Sequence, residues 1–320
     1  MITVAELKDK VLDGYQVTYE EGLELLKVSD KEELFAAADH IRRHFCGTRI
    51  DLCSITNAKS GKCSEDCKWC SQSAHYHTGV KEYELVDPEA AVDQAVVNAS
   101  KGVHRYSLVT SGRQITNRTL DRLIPIYQSI RQQSIIGLCA SMGLLNRQQL
   151  KRLRDEAGIE HYHCNLETAP SFYSKLVTTH SQQEKIETIS MARELGLKIC
   201  SGGIIGMGES AEQRVELAAK LAELKVDSIP VNLLSPVKGT PLEQINPLSK
   251  EMVLTTFAIF RFLNPRATIR FAGGRLQIRS FQAEALHAGI NAALTGDYLT
   301  TTGANVSEDI CDFKQAGFTI

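Results

Sequence analysis

The chain has 320 residues, 43% of them hydrophobic and 6% aromatic, which is ample for a large folded core and excludes a disordered chain. Lys and Arg number 36 against 38 Asp and Glu, and the net charge of −2 leaves no electrostatic footprint for nucleic acid or an anionic membrane. No stretch approaches the ~20 continuous apolar residues of a membrane span, and the polar, acidic opening MITVAELKDKVLDG reads as neither a secretory signal nor a transit peptide, so a cytoplasmic location is expected.

The first 45 residues read as a helical extension, in which Ser29 and Glu32 have capping-box spacing ahead of ELFAAADHIRRHF. From there the pattern alternates. Short β-prone runs occur at TRIDLCSIT (48–56), HRYSLVT (104–110), QSIIGLC (133–139), EHYHCNL (160–166), GLKICSG (196–202), DSIPVNLL (227–234), ATIRFAG (267–273) and GINAALTG (289–296). Amphipathic helical stretches lie between them, among them DPEAAVDQAVVNASKG with Asp87 as N-cap and Pro88 at the first helical position. RTLDRLIPIYQSIRQQ, NRQQLKRLRDEAG, QQEKIETISMARELG, SAEQRVELAAKLAEL and KEMVLTTFAIFRFL continue the series. Eight strands alternating with helices predict an α/β fold, a (β/α)8 TIM-type barrel over 46–320 behind an N-terminal helical extension over 1–45. An open doubly wound sheet is the competing architecture, but it wants a Gly-rich turn after its first strand, where this chain is rich in Cys. In a barrel, functional groups gather at the C-terminal ends of the strands.

Nine cysteines, an odd number without a signal peptide, point to metal or redox chemistry rather than a disulfide framework. Cys63, Cys67 and Cys70 form a C-x3-C-x2-C run in GKCSEDCKWCSQS, directly after the first strand run. Each thiolate can take one iron of a [4Fe–4S] cluster, and three ligands leave the fourth iron open to an exogenous group. Two other readings compete. One is a zinc site completed by His75 or His77; the other is inert burial, which the polar, Gly-bearing character of the segment opposes.

This run, with Trp69 before its last Cys, resembles the radical S-adenosylmethionine superfamily. There the open iron chelates S-adenosyl-L-methionine, and one electron cleaves the sulfonium to a 5′-deoxyadenosyl radical. The segments YHCNLETAPSFY, KICSGGIIGMGE, SIPVNLLSPVKGTPL and TIRFAGGR extend the resemblance to the biotin synthase family over nearly the whole chain. It implies a sulfurtransferase of biotin biosynthesis that inserts sulfur into dethiobiotin, with the sulfur coming from an auxiliary iron–sulfur cluster inside the barrel. It also implies a flavodoxin or ferredoxin electron donor and a homodimer. The alternatives within the superfamily are a hydrogenase-cofactor maturase or a methylornithine synthase relative. A non-catalytic zinc-binding barrel is the alternative of another class.

The resemblance also implies the residue roles. Cys63, Cys67 and Cys70 hold the primary [4Fe–4S] cluster and, with Arg270, make up the catalytic group. Trp69, Asn165, Glu167, Lys185, Gly203 and Ile205 are expected at S-adenosylmethionine, and Asn165 and Asn232 at dethiobiotin. Where the family has Asp and Arg, this chain has Glu167 and Lys185. The family's auxiliary cluster is [2Fe–2S] on three Cys and one Arg. Cys139, Cys200 and Arg270 match three of those positions, but Ser107 stands where the remaining Cys is expected. Cys164 occupies a position where the family has His, so the expected auxiliary set is Cys139, Cys164, Cys200 and Arg270, holding a four-iron cluster with an extra sulfide rather than [2Fe–2S]; the competing reading makes Cys164 a small buried apolar residue. Cys46, Cys53 and Cys311 read as structural, with an auxiliary role the lesser alternative for Cys53, and His104, His161 and His180 read as structural too.

Overall fold

Residues 2–296, 299 and 305–320 are described by the computed structural model. Period-two alternation in the β-prone runs sends one set of side chains inward and the other toward surrounding helices, and a parallel sheet closes around the inward set. The strands are β1 (Asp51–Lys59), β2 (Arg105–Thr110), β3 (Gly137–Ser141), β4 (His161–His163), β5 (Lys198–Cys200), β6 (Gly203–Ile205), β7 (Ser228–Leu233), β8 (Thr268–Phe271) and β9 (Ala292–Leu294). They run in the order β5-β4-β3-β2-β1-β9-β8-β7-β6, every pairing is parallel, and a β5–β7 pairing closes the ring. β5 and β6 are two halves of one barrel strand, so the staves number eight, as the eight runs predict. The break falls at Ser201 and Gly202, where a side chain at Gly202 would meet the Pro230 carbonyl at 2.0 Å. Only glycine lets the two backbones pass there.

Helices occupy the intervals between strands, and the longer ones are opened by side-chain caps. Asn146, Ser181 and Ser210 make capping boxes for helices 147–155, 182–194 and 211–223, while Thr116 and Ser249 cap helices 117–133 and 250–263. Asp87 caps helix 88–100 with Pro88 in its first turn, as expected. Ahead of the barrel stand α1 (Val4–Leu12), α2 (Tyr19–Leu26) and α3 (Lys31–Cys46). The cap of α3 corrects the expectation: Asp30, not Ser29, accepts the Glu33 N–H, and a carboxylate one residue later outcompetes the hydroxyl.

α2 and α3 pack over helix 250–263, which is buried on nearly every face between them and the sheet. Its Arg261 is fully buried without a carboxylate partner and donates to the carbonyls of Gly289, Pro265 and Ala267 and to Asn291. Among the described residues, no helix is long and apolar enough to cross a membrane.

Candidate active site

Inside the barrel lies a cavity of about 390 Å³. Its wall follows the strand alternation: Cys53 and Ile55 on β1, Ser107 and Val109 on β2, Cys139 and Ser141 on β3, then His161, His163, Asn165 and Glu167 along and beyond β4. Cys200, Ile204, Asn232 and Arg270 continue it around the ring, and Trp69 and Cys70 close it from the loop after β1. The volume falls in the range of sites that enclose small molecules.

The cysteine loop is tied down at several points. The Cys63 N–H donates to the Gln72 carbonyl (3.0 Å), the Ala74 N–H to the Cys63 carbonyl (2.8 Å), and a turn joins the Cys70 N–H to the Cys67 carbonyl (2.9 Å). Between the cysteines, Asp66 accepts the backbone N–H groups of Thr178 (2.9 Å) and Thr179 (3.2 Å). Partial burial opposes its charge, but these bonds prevail and lower its pKa to about 2. Glu65 pairs with His180 at 2.6 Å, and both side chains are largely buried. His180 is therefore structural in a specific sense, fastening the loop to residues 176–180. Cys67 and Trp69 pack on an apolar cluster of Phe172, Tyr173, Leu176, Met207 and Leu234.

Desolvation pushes the Cys70 thiol up to about 11 and Cys67 higher still, with Glu167 adding to both. Thiols in this setting stay protonated until a metal displaces the proton. Three thiols on one short loop are a donor set that suits a four-iron cluster, each binding a separate iron.

Beyond β4 the chain makes the polar shelf beside this loop. Glu167 has φ +70°, a left-handed conformation that costs a non-glycine residue about 1–3 kcal/mol. It is held by its own N–H to the Gly202 carbonyl (3.1 Å) and by the Ile204 N–H to its carbonyl (2.7 Å). Its carboxylate lies 3.6 Å from Lys185 Nζ. Burial opposes the charge on Lys185, but Glu167 outweighs it and the pKa rises. Asn165 Oδ1 accepts the Gly202 N–H (3.0 Å), which leaves its amide nitrogen for the cavity. Asn232 donates one N–H to the Gly203 carbonyl (3.0 Å) and accepts the Gly273 N–H (2.8 Å), keeping one donor and one lone pair for a ligand.

Gly203 serves this shelf through what it lacks. A Cβ there would lie 2.4 Å from the Glu167 carbonyl oxygen. Gly203→Ala is therefore expected to push Glu167 out of place, lowering stability by about 1–3 kcal/mol and raising the KM for S-adenosylmethionine, as read by urea unfolding and steady-state kinetics. The side chain of Ile205, expected at S-adenosylmethionine, is buried in the hydrophobic core; its neighbour Ile204 faces the cavity, as alternation requires.

The deep end of the cavity departs from expectation at one residue. Cys139, Cys200, Ser107 and Arg270 all line it, but Cys164 does not. Its side chain is buried in the apolar core between sheet and helices, with Tyr162 and Leu166. The reason is the period of two: Asn165 and His163 face inward, so Cys164 between them faces outward. The thiol that does face inward is Cys53, read from the sequence as structural. The neighbouring Cys139 thiol, with help from Arg270 and Arg105, lowers the Cys53 pKa to about 7 against burial. The Cys53 thiol and burial hold the Cys139 pKa up. Burial pushes the Cys200 thiol up, and His163 Nδ1 lies 3.3 Å from its sulfur.

Around these thiols runs an ionic cluster that the sequence alone did not single out. Asp51 accepts from Arg270 Nη2 (3.0 Å) and from Arg105 Nη2 (2.5 Å). Burial opposes its charge, but the two guanidinium groups outweigh it and hold its carboxyl below the usual range. Arg270 also donates to Ser228 Oγ (3.1 Å), while its Nη1, the Ser107 hydroxyl and His161 Nδ1 are buried without partners. The structural reading of His161 thus gives way to a place on the cavity wall, where burial and the neighbouring cations lower its pKa to about 3. His104 keeps its structural role, accepting the Leu52 N–H at 2.9 Å. The signal for Cys53 and His163 was available in the odd-numbered alternation of β1 and β4. Arg105 and Asp51 carried none, because charged residues at strand starts more often face solvent.

The model of the radical SAM superfamily matches residues 58–236, and that of the Biotin and Thiamin Synthesis associated domain matches 230–319. The chain is 49% identical to a biotin synthase of Parabacteroides distasonis over 320 residues, 100% of this chain and 98% of the relative. It is 48% identical to one from Porphyromonas gingivalis over 318 residues, 99% and 96% of the two chains. Its structure is similar to that of methylornithine synthase, with a TM-score of 0.83 and 22% identity over 98% of this chain and 96% of the other, a likeness of fold alone.

Proposed function

The chain belongs to the biotin synthase family of the radical S-adenosylmethionine superfamily, sulfur-inserting enzymes that use a [4Fe–4S] cluster and S-adenosylmethionine, and from that premise we propose how its own residues carry the reaction. When bound, the primary cluster supplies the electron that cleaves S-adenosylmethionine to methionine and a 5′-deoxyadenosyl radical, and the auxiliary cluster supplies the sulfur. Cys63, Cys67 and Cys70 hold the first; the pinned loop and the desolvated thiols support this assignment.

Glu167 and Lys185 take the charged methionine end and the ribose of S-adenosylmethionine. Lys185 offers a point charge there, without the bidentate fork of an arginine. Trp69 and Ile204 wall the apolar side, and the backbone at Gly203 gives close approach. Dethiobiotin lies between Asn165 and Asn232, whose remaining donors and acceptor match a cyclic urea. Asn232→Ala removes that pairing and leaves the Gly203 carbonyl and Gly273 N–H without partners. It is expected to raise the KM for dethiobiotin roughly 10- to 100-fold, from a loss of about 1–3 kcal/mol, with 5′-deoxyadenosine formation retained.

Cys139 and Cys200 serve the auxiliary cluster. Arg270 serves it through its unpartnered Nη1, as a hydrogen-bond donor: a guanidinium held by Asp51 keeps its proton and is a poor iron ligand. Thiolate ligands that leave iron positions to non-protein groups suit a four-iron cluster with an extra sulfide.

The reading includes a flavodoxin or ferredoxin electron donor, a homodimer and a cytoplasmic setting, each supported by family membership. It also treats residues 1–45 as an extension ahead of a barrel domain over 46–320, supported by the start of β1 at Asp51.

The single observation that carries the proposal is the cavity itself, walled at its mouth by Cys70 and at its deep end by Cys139 and Cys200, with Asn165 and Asn232 between. Anaerobic turnover with dethiobiotin, S-adenosylmethionine and a reductant is expected to yield biotin together with 5′-deoxyadenosine. Formation of 5′-deoxyadenosine only with some other substrate would overturn it.

A further inference from the structure

The auxiliary site as the family builds it lacks a thiolate in this chain. Ser107 stands where the sulfur is expected, and a hydroxyl with its high pKa is a poor substitute for a thiolate. Cys164 is buried on the far side of β4. Four cysteines line the cavity: Cys70 belongs to the loop, Cys139 and Cys200 to the deep end, and the fourth is Cys53. It stands on β1, next to β2, so its thiol belongs to the same stretch of wall as Ser107.

We propose that Cys53 is the third thiolate of the auxiliary iron–sulfur cluster, joining Cys139 and Cys200 across β1, β3 and β5. This rests on the reading that the deep end of the barrel holds such a cluster. Cys53, Cys139 and Cys200 line the same cavity, and each thiol gives up its proton as iron takes its place. In register, Cys53 pairs with Arg105 and Ile55 with Ser107. The thiol has therefore moved two residues toward the start of the strands, about 7 Å at ~3.3 Å per residue.

That shift brings the cluster down beside Arg105, Arg270 and Asp51. Two guanidinium groups against one carboxylate leave a net positive charge next to an anionic cluster, and Arg270 Nη1 is buried there with no partner. The Ser107 hydroxyl, also buried and unpartnered, becomes a hydrogen-bond donor to sulfur rather than a ligand. His163, 3.3 Å from the Cys200 sulfur, adds another.

The test is anaerobic reconstitution of the full-length protein followed by iron and sulfide analysis and Mössbauer spectroscopy. Wild type is expected to carry about four irons at the primary site and about four more at the auxiliary one. Cys53→Ser should keep the primary iron, which also reports a folded barrel, and lose the auxiliary iron; Cys164→Ser should match wild type. Independently of any variant, Cys53 in the wild-type holoprotein should resist alkylation until a chelator strips the iron, as mapped by mass spectrometry. Auxiliary iron unchanged in Cys53→Ser, or Cys53 labelled in the holoprotein, overturns the assignment of Cys53 and leaves the auxiliary cluster standing. Wild type without iron beyond the primary cluster overturns the cluster itself, and the inference with it.

Discussion

Cys67→Ser is expected to reduce 5′-deoxyadenosine formation to background and to remove about four irons from the reconstituted protein. The structure explains why nothing nearby takes over. Cys67 sits midway along a loop fastened before it by Glu65 to His180 and by Asp66 to Thr178 and Thr179, and after it by the Lys68 N–H to the Leu176 carbonyl, so the backbone cannot bring another donor to its place. Serine fits the volume but not the chemistry, since its hydroxyl stays protonated where a thiol yields its proton to iron. Its burial against the Phe172 and Leu176 cluster costs about 1–3 kcal/mol, well short of unfolding a domain of ordinary stability. Circular dichroism should accordingly show a folded barrel. Cys311→Ser, an exposed thiol on the C-terminal helix, is the matched control and should retain iron and activity. Wild-type iron content in Cys67→Ser would refute the assignment of the loop.

The largest effect on stability is expected at Glu209. Its carboxylate accepts the N–H groups of Gly206 and Met207, both at 2.7 Å, and Arg214 Nη1 at 3.2 Å, in a setting where both side chains are almost entirely buried. These bonds shape the turn that follows β6, with Gly206 and Gly208 in left-handed conformations. Glu209→Ala leaves two buried N–H groups and a buried guanidinium without their partner, a loss of about 3–5 kcal/mol. Glu209→Gln keeps an oxygen for Arg214 and one N–H but turns an amide N–H₂ toward the other, so about 1–3 kcal/mol is expected. Urea unfolding of the two variants measures the difference. Equal losses would mean that the charge on Glu209 contributes nothing. Because the turn carries Ile204 on its strand side, the Ala variant should also bind S-adenosylmethionine less tightly.

Much of this was legible in the residues themselves. Eight β-prone runs separated by amphipathic helices specify a closed parallel barrel, because a parallel strand pair needs a crossover and a buried sheet needs helices on its face. The Cys63–Cys67–Cys70 spacing specifies its chemistry locally, since three thiols within eight residues meet whatever the rest of the chain does. Cap residues were read correctly at Asp87 and wrongly at Ser29, where two candidates stand side by side and only the backbone geometry chooses between them.

The proposed auxiliary site could not be read in this way, because the residues proposed for it come from separate strands. Cys53, Cys139 and Cys200 are spread over 148 positions, and what unites them is the inward face of the sheet. A shift of one residue reverses the facing of a strand side chain, so Cys164 beside Asn165 looked like a ligand in one dimension and lies in the core in three. The partners of Arg270 are likewise products of the closed ring, which sets Asp51 on β1 against β8 across β9. The sequence alone determined the barrel, the cysteine-rich loop after its first strand and the family. Which thiols face the deep cavity, and which charges surround them, was decided by the register and closure of the sheet, because those contacts exist only once every strand has taken its place.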